Sequence, residues 1–202
     1  MIFNKHSHIE GQHAFLGASK YHWLNYDEEK LVRSYMNHLA SIKGTELHDF
    51  ASRCIRLGIK LPRKEETLNM YVNDCIGFRM TPEQPLFYSP NCFGTADAIS
   101  FRNDFLRISD YKSGVIKASP RQLEIYAALF CLEYSVKPAD IGMELRIYQN
   151  NEKNIFIPEH AYISDVMRKI VTFDKCIEKT KLEVLFMIHL LLVKHFLLSQ
   201  NS

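Results

Sequence analysis

The chain has 202 residues, 47% of them hydrophobic and 24% charged, with a formal net charge of +2 and a pI near 8.2. That length suits one domain with a full core, and the composition excludes disordered, fibrous and disulfide-framed classes. The mild basic balance excludes binding to nucleic acid through bulk charge, although a local basic channel would not register in it.

Residues 1–17 are polar and contain His6, His8 and His13, whose spacing fits no metal-ligand set; they read as a solvated arm without a signal peptide. Ser19 is the expected N-cap of a short aromatic helix carrying Tyr21, Trp23 and Leu24. Asp27 caps a helix reaching Ala40, with Glu28 and Glu29 suiting its positive end and Leu31, Val32, Tyr35, Met36 and Leu39 at helical spacing. Gly44 and Thr45 then open a separate helix over 45–57, which Gly58 ends and on which His48 borders the apolar face. After the break at Pro62, residues 64–78 read as another helix, with Leu68, Tyr71, Val72 and Cys75 inward.

Prolines at 82, 85 and 90 bracket an expected edge strand over 86–89, because proline cannot donate to a ladder. Apolar and polar residues alternate over 93–101 and again over 105–112, and Asn103-Asp104 between them can turn the chain. On the second of these strands Asp110 and Lys112 are two residues apart and share a face, while the first strand brings Asp97 alongside. Two hard oxygen donors beside one ammonium are sufficient for a divalent cation that keeps waters and phosphate oxygens as its other ligands.

Ser113-Gly114 supplies a turn, and Ser119-Pro120 a helix start with proline at the first helical position. Gln122 and Tyr126, four apart, share one face of that helix, with Arg121 and Lys117 near enough to meet phosphates. Residues 143–149 read as a strand, Asn150-Asn151 as a turn, and 154–157 as the returning strand. A helix over 160–176 follows. Residues 182–198 are apolar on nearly all sides but include Glu183, His189, Lys194 and His195, so docking on its own domain or on a second copy is expected rather than membrane insertion.

The pieces G-T-E-L-H at 44–48, G-T-A-D at 94–97, D-Y-K at 110–112 and Q-L-E-I-Y at 122–126 together resemble the RecB-like branch of the PD-(D/E)XK nuclease superfamily, over residues 44–149. The resemblance implies an α/β (α+β) fold: a restriction-endonuclease-like core with a central mixed β-sheet flanked by helices, a helical N-terminal region and an apolar C-terminal helix. One nuclease domain would occupy 1–180, its core about 44–150, with 181–202 as a C-terminal helix or tail. His48, Asp97 and Asp110 would be metal ligands together with the carbonyl of Tyr111; Lys112 would be the catalytic lysine, and Gln122 and Tyr126 would support it and contact DNA.

Mg²⁺ or Mn²⁺ is the implied cofactor and DNA the implied substrate, cut by an exonuclease of phage or mobile-element type in recombination, replication or DNA degradation. A recombination partner protein and self-association through the C-terminal helix are further expectations. The alternatives are a non-cutting DNA-binding or assembly module on the same fold and an endonuclease with the same site. Cys54, Cys75, Cys92, Cys131 and Cys176 are scattered and form no C-x-x-C pair, which fits a reducing cytoplasm. Some relatives hold an iron-sulfur cluster with closely spaced cysteines after the core; here Cys176 stands alone, so no cluster is expected.

Overall fold

The computed structural model describes residues 3–199, with side chains described to residue 188. The chain forms two compact units, Met1–Glu46 and Leu47–Ser202. In the first, 3-10 segments at Ser7–Ile9 and Ala18–Asn25 precede helix α1, Glu28–Leu57, whose later turns belong to the second unit. Ser19 is not an N-cap: the segment starts after Gly17 with no side-chain cap and kinks at Lys20. Asp27 does cap α1, its Oδ1 accepting the Lys30 N–H at 2.7 Å. Of the apolar stripe that follows, Leu31 is half-buried, while Val32, Tyr35, Met36 and Leu39 are exposed.

The helix start expected at Gly44-Thr45 is also corrected, because α1 runs through both residues. A glycine weakens a helix by only about 1 kcal/mol and leaves its hydrogen-bond ladder intact. Thr45 satisfies its hydroxyl within the helix by donating to the Ser41 carbonyl at 3.2 Å. Gly58 ends α1 at φ +68°, with the Ile59 N–H reaching back to the Cys54 carbonyl at 2.9 Å. Helix α2, Thr67–Gly77, starts three residues later than the sequence suggests. The segment before it is tied down by Asn73, whose side chain exchanges two 2.9 Å hydrogen bonds with the backbone of Leu61.

Five strands follow in a mixed sheet of order β1-β2-β3-β4-β5: β1 Thr81–Ser89, β2 Cys92–Arg102, β3 Phe105–Tyr111, β4 Gly142–Gln149 and β5 Glu152–Phe156. The edge strand β1 is longer than expected, taking in Pro82 and Pro85. Asn103-Asp104 and Asn150-Asn151 turn the β2–β3 and β4–β5 hairpins with all four residues at positive φ, as tight hairpin turns require. The β3–β4 pair is parallel and needs a crossover, supplied by α3, Arg121–Glu133. Pro120 is the N-cap of α3 rather than its first helical residue.

Helix α4, His160–Ser199, unites the helix expected over 160–176 with the apolar segment after it. No glycine or proline interrupts that span. Leu182 and Val184 to Ile188 on it are exposed rather than docked on their own domain. Among the described residues no helix is long and apolar enough to cross a membrane.

Core packing divides between two clusters. One gathers Ala51, Cys54 and Ile55 of α1 with Tyr71, Val72 and Cys75 of α2, Tyr111 and Tyr148. The other joins Leu106, Ile108, Leu145 and Ile147 to Leu123 and Ala127 of α3 and Ile163 of α4. Within the second unit the sheet therefore lies between the later turns of α1 with α2 on one side and α3–α4 on the other. Polar residues close part of the sheet as well: Glu144 accepts from Arg107 at 2.5 Å and from Arg146 at 2.6 Å. Burial raises the Glu144 pKa, but these two hydrogen bonds outweigh it and hold the carboxyl below its usual value.

Candidate metal centre

Backbone pairing between β2 and β3 stops at Ala98↔Ser109. The next position in that register would set Asp97 opposite Asp110. Freed from the ladder, the Tyr111 N–H donates instead to Asp97 Oδ2 at 3.0 Å. A carboxylate thus takes a place that a strand carbonyl would otherwise fill. His48, half-buried on α1, puts Nδ1 3.3 Å from the same Asp97 Oδ2, and its ring meets the Tyr111 ring edge-on at 5.2 Å.

Asp110 is 2% exposed. Its Oδ1 accepts from Lys112 Nζ at 3.0 Å, but its Oδ2 has no hydrogen-bond partner among the described residues. Burial pushes its pKa up from 3.8 to about 6, and the neighbouring Asp97 charge adds to this; Lys112 and His48 pull the other way. A buried carboxylate oxygen without a donor is costly in a bare chain and chemically suited to a cation.

Lys112 is fixed from two sides. Its backbone N–H donates to the Tyr148 carbonyl at 2.9 Å, anchoring the residue on β4 just past the end of β3. Its Nζ donates to Gln122 Oε1 at 3.1 Å, and Gln122 Nε2 donates in turn to the Tyr126 hydroxyl at 3.0 Å. The four-residue spacing on α3 makes this relay possible.

The structure thus brings together His48, Asp97, Asp110, Tyr111, Lys112, Gln122 and Tyr126. Arg121 is drawn elsewhere: its guanidinium pairs with Glu124 at 3.2 Å and lies over the Tyr162 ring of α4. Lys117 is exposed on the loop between β3 and α3, away from any ion pair among the described residues.

One residue at the site was not anticipated. Glu83 lies on β1 between the register pairs Pro82↔Ala98 and Gln84↔Ala96, which puts it across from Asp97. It adopts φ +51°, a left-handed conformation that non-glycine residues rarely take within a strand. Ligand atoms of His48, Glu83 and Asp97 all lie within 4.8 Å of one another. Burial raises the Glu83 pKa, with Asp97 reinforcing and His48 opposing the shift. Its only sequence signal was a charged residue between two prolines, which does not reveal which strand it will face. Comparison with protein-family models, with curated protein sequences and with solved structures returned no match.

Proposed function

We propose that this chain is a metal-dependent deoxyribonuclease of the PD-(D/E)XK type, in its RecB-like branch, hydrolysing DNA phosphodiester bonds as an exonuclease in recombination, replication or DNA degradation in the cytoplasm. The observation that carries the reading is Lys112 Nζ held 3.0 Å from Asp110 and 3.1 Å from Gln122. Beside it the second Asp110 carboxylate oxygen, Oδ2, has no hydrogen-bond partner among the described residues. A lysine held between an acid and an amide is positioned rather than merely solvated.

His48, Asp97 and Asp110 would hold Mg²⁺ or Mn²⁺, with the Tyr111 carbonyl as a further ligand, and the unpartnered Asp110 oxygen fits that role. The cation, when bound, polarises the phosphodiester and lowers the pKa of a bound water. The protein's own share is placement. Lys112 orients the attacking water or steadies charge developing on the phosphoryl oxygens, Asp110 keeps the ammonium in place, and Gln122 and Tyr126 set its reach. Arg121 and Lys117 remain candidate phosphate contacts, which for Arg121 requires release from Glu124 and Tyr162.

The test is digestion of end-labelled linear DNA beside closed circular DNA, in Mg²⁺ and in Mn²⁺. Loss of label from linear DNA alone is expected, with Asp110→Ala and Lys112→Ala inactive. Cleavage of the circle makes the protein an endonuclease with the same site. Tight DNA binding without turnover in either metal makes it a non-cutting module.

A further inference from the structure

We infer that Phe87 and Phe93 form a stacking platform for unpaired bases, so that the DNA taken by the neighbouring metal centre is a single strand. The two residues pair directly across β1 and β2, their rings stacked with centroids 6.4 Å apart and planes inclined by 28°. Both are open to solvent, Phe87 by 51% and Phe93 by 67%. Leu86 and Ala96 on the same strands pack into the cluster with α3 and α4, and a Cβ on Gly94 would meet Tyr126 of α3. Successive strand residues point to opposite faces, so the two phenylalanines look away from α3 and α4. That is the side on which the later turns of α1 pack and from which His48 approaches Asp97.

Strand register ties the rings to the metal centre. Pairing is continuous from Phe87↔Phe93 through Pro85↔Thr95 to Gln84↔Ala96, so each ring sits four residues from Glu83 or Asp97 on its own strand. At about 3.3 Å per residue that is roughly 13 Å, the rise of about four stacked nucleotides. Pro85 and Thr95 on the intervening track are exposed and carry no charge to repel a phosphate backbone. Although β1 is an edge strand, this stretch is a poor template for another strand: Pro85 has no N–H, and the Phe87 N–H donates to Glu133 Oε2 at 2.8 Å. The rings, not the backbone, are what this edge presents. Base–aromatic stacking tolerates any sequence because every base has a π-face, as an enzyme degrading DNA at large requires. In a duplex those faces are taken up by neighbouring bases and cost energy to expose, so the platform selects unpaired ones.

The inference rests on the nuclease reading for its purpose, but its test needs no cleavage. With divalent ions chelated, binding of a dye-labelled single-stranded oligonucleotide and of a blunt duplex to the full chain is followed by fluorescence anisotropy. Replacing both rings, Phe87→Leu with Phe93→Leu, keeps apolar bulk but removes the π-faces. This variant should bind the single strand about tenfold more weakly or worse and change duplex binding less than about twofold, whereas Phe93→Trp should hold the single strand at least as tightly as the wild type. Unchanged single-strand affinity in the double leucine variant, or an equal loss on both DNAs, would overturn the proposal. So would a wild-type dimer in sedimentation that the same variant dissociates, because the rings would then face a second copy. If the double variant lacks a cooperative melt, the wild type still decides: an oligonucleotide with its central bases replaced by abasic sites keeps its phosphates and should bind about tenfold more weakly. Equal affinity for the abasic strand would refute the platform. Single-strand binding through the rings without cleavage in Mg²⁺ or Mn²⁺ would sink the nuclease reading alone, and cleavage indifferent to the leucine substitutions would sink the platform alone.

Discussion

Tyr126 lies so close to Gly94 that a Cβ built on the glycine would meet the ring Cε1 at 2.9 Å. The same tyrosine holds Gln122, which holds Lys112. A glycine on β2 is therefore linked to the position of an ammonium past the end of β3 through one helix face.

Gly94→Ala should displace the Tyr126 ring and loosen Lys112 without unfolding the chain. Cleavage should fall about 10²-fold, the cost of misplacing a reacting group by about 1 Å, against a stability loss of about 1–2 kcal/mol. Single-turnover cleavage and a urea titration measure the two effects. Unaltered cleavage in a folded Gly94→Ala protein would show that the relay does not set Lys112.

Gln122→Leu removes one of the two acceptors of Lys112 but leaves the salt bridge to Asp110. Its cleavage rate should drop by about 10–100-fold, less than the loss of about 10³-fold or more for Lys112→Ala. Equal losses in the two variants, measured at saturating metal, would mean that Gln122 acts on DNA or on folding rather than through the lysine.

Asp110 makes a pH prediction. In the folded chain it keeps its proton until about pH 6, while the unfolded chain releases it near 3.8. The folded state thus binds more protons between these values, and this group's contribution to stability falls as pH rises across the window, by about 3 kcal/mol at most. Without divalent ions, Asp110→Asn should match the wild type near pH 4 and exceed it in urea midpoint at pH 7. Mg²⁺ or Mn²⁺ at pH 7 should narrow the gap by stabilising only the chain that keeps the carboxylate. A gap that is constant with pH would remove Asp110 as a buried, strained acid.

Gln149 anchors the loop that follows Lys112. Its buried amide accepts from the Ala118 N–H at 2.9 Å and donates to the carbonyls of Gly114 at 2.5 Å and Ile116 at 2.7 Å. Gln149→Ala should cost about 2–3 kcal/mol, because it removes three hydrogen bonds between a buried side chain and the loop backbone. Limited proteolysis should then cut within residues 113–118, where the wild type resists. Equal resistance of both proteins would show that the loop is held by other contacts.

The elements nearest the site were legible because their signals are local. Alternation marked β2 and β3, paired Asn and Asp residues marked the hairpin turns, and Gly58 marked the end of α1. Mistakes arose where local signals met longer context. Gly44-Thr45 resembles a helix start but is carried through by the ladder on either side, and residues 160–199 resemble two segments but contain no breaker. The exposed stripe of α1 shows the same limit, since spacing identifies an apolar face without revealing whether anything covers it.

By itself the sequence determined where most strands, hairpin turns and helices lie and the residue types available for chemistry, because side-chain periodicity and turn preference act over a few neighbouring residues; the mixed sheet between helices was implied only by the family resemblance. Only the tertiary structure decided that β2 parts from β3 beside Asp97, that Glu83 faces Asp97, that Asp110 has an oxygen without a partner among the described residues, and that Arg121 turns to Tyr162 instead. These depend on strand register and helix placement, which are set by packing between segments far apart in the chain, and no local pattern encodes them.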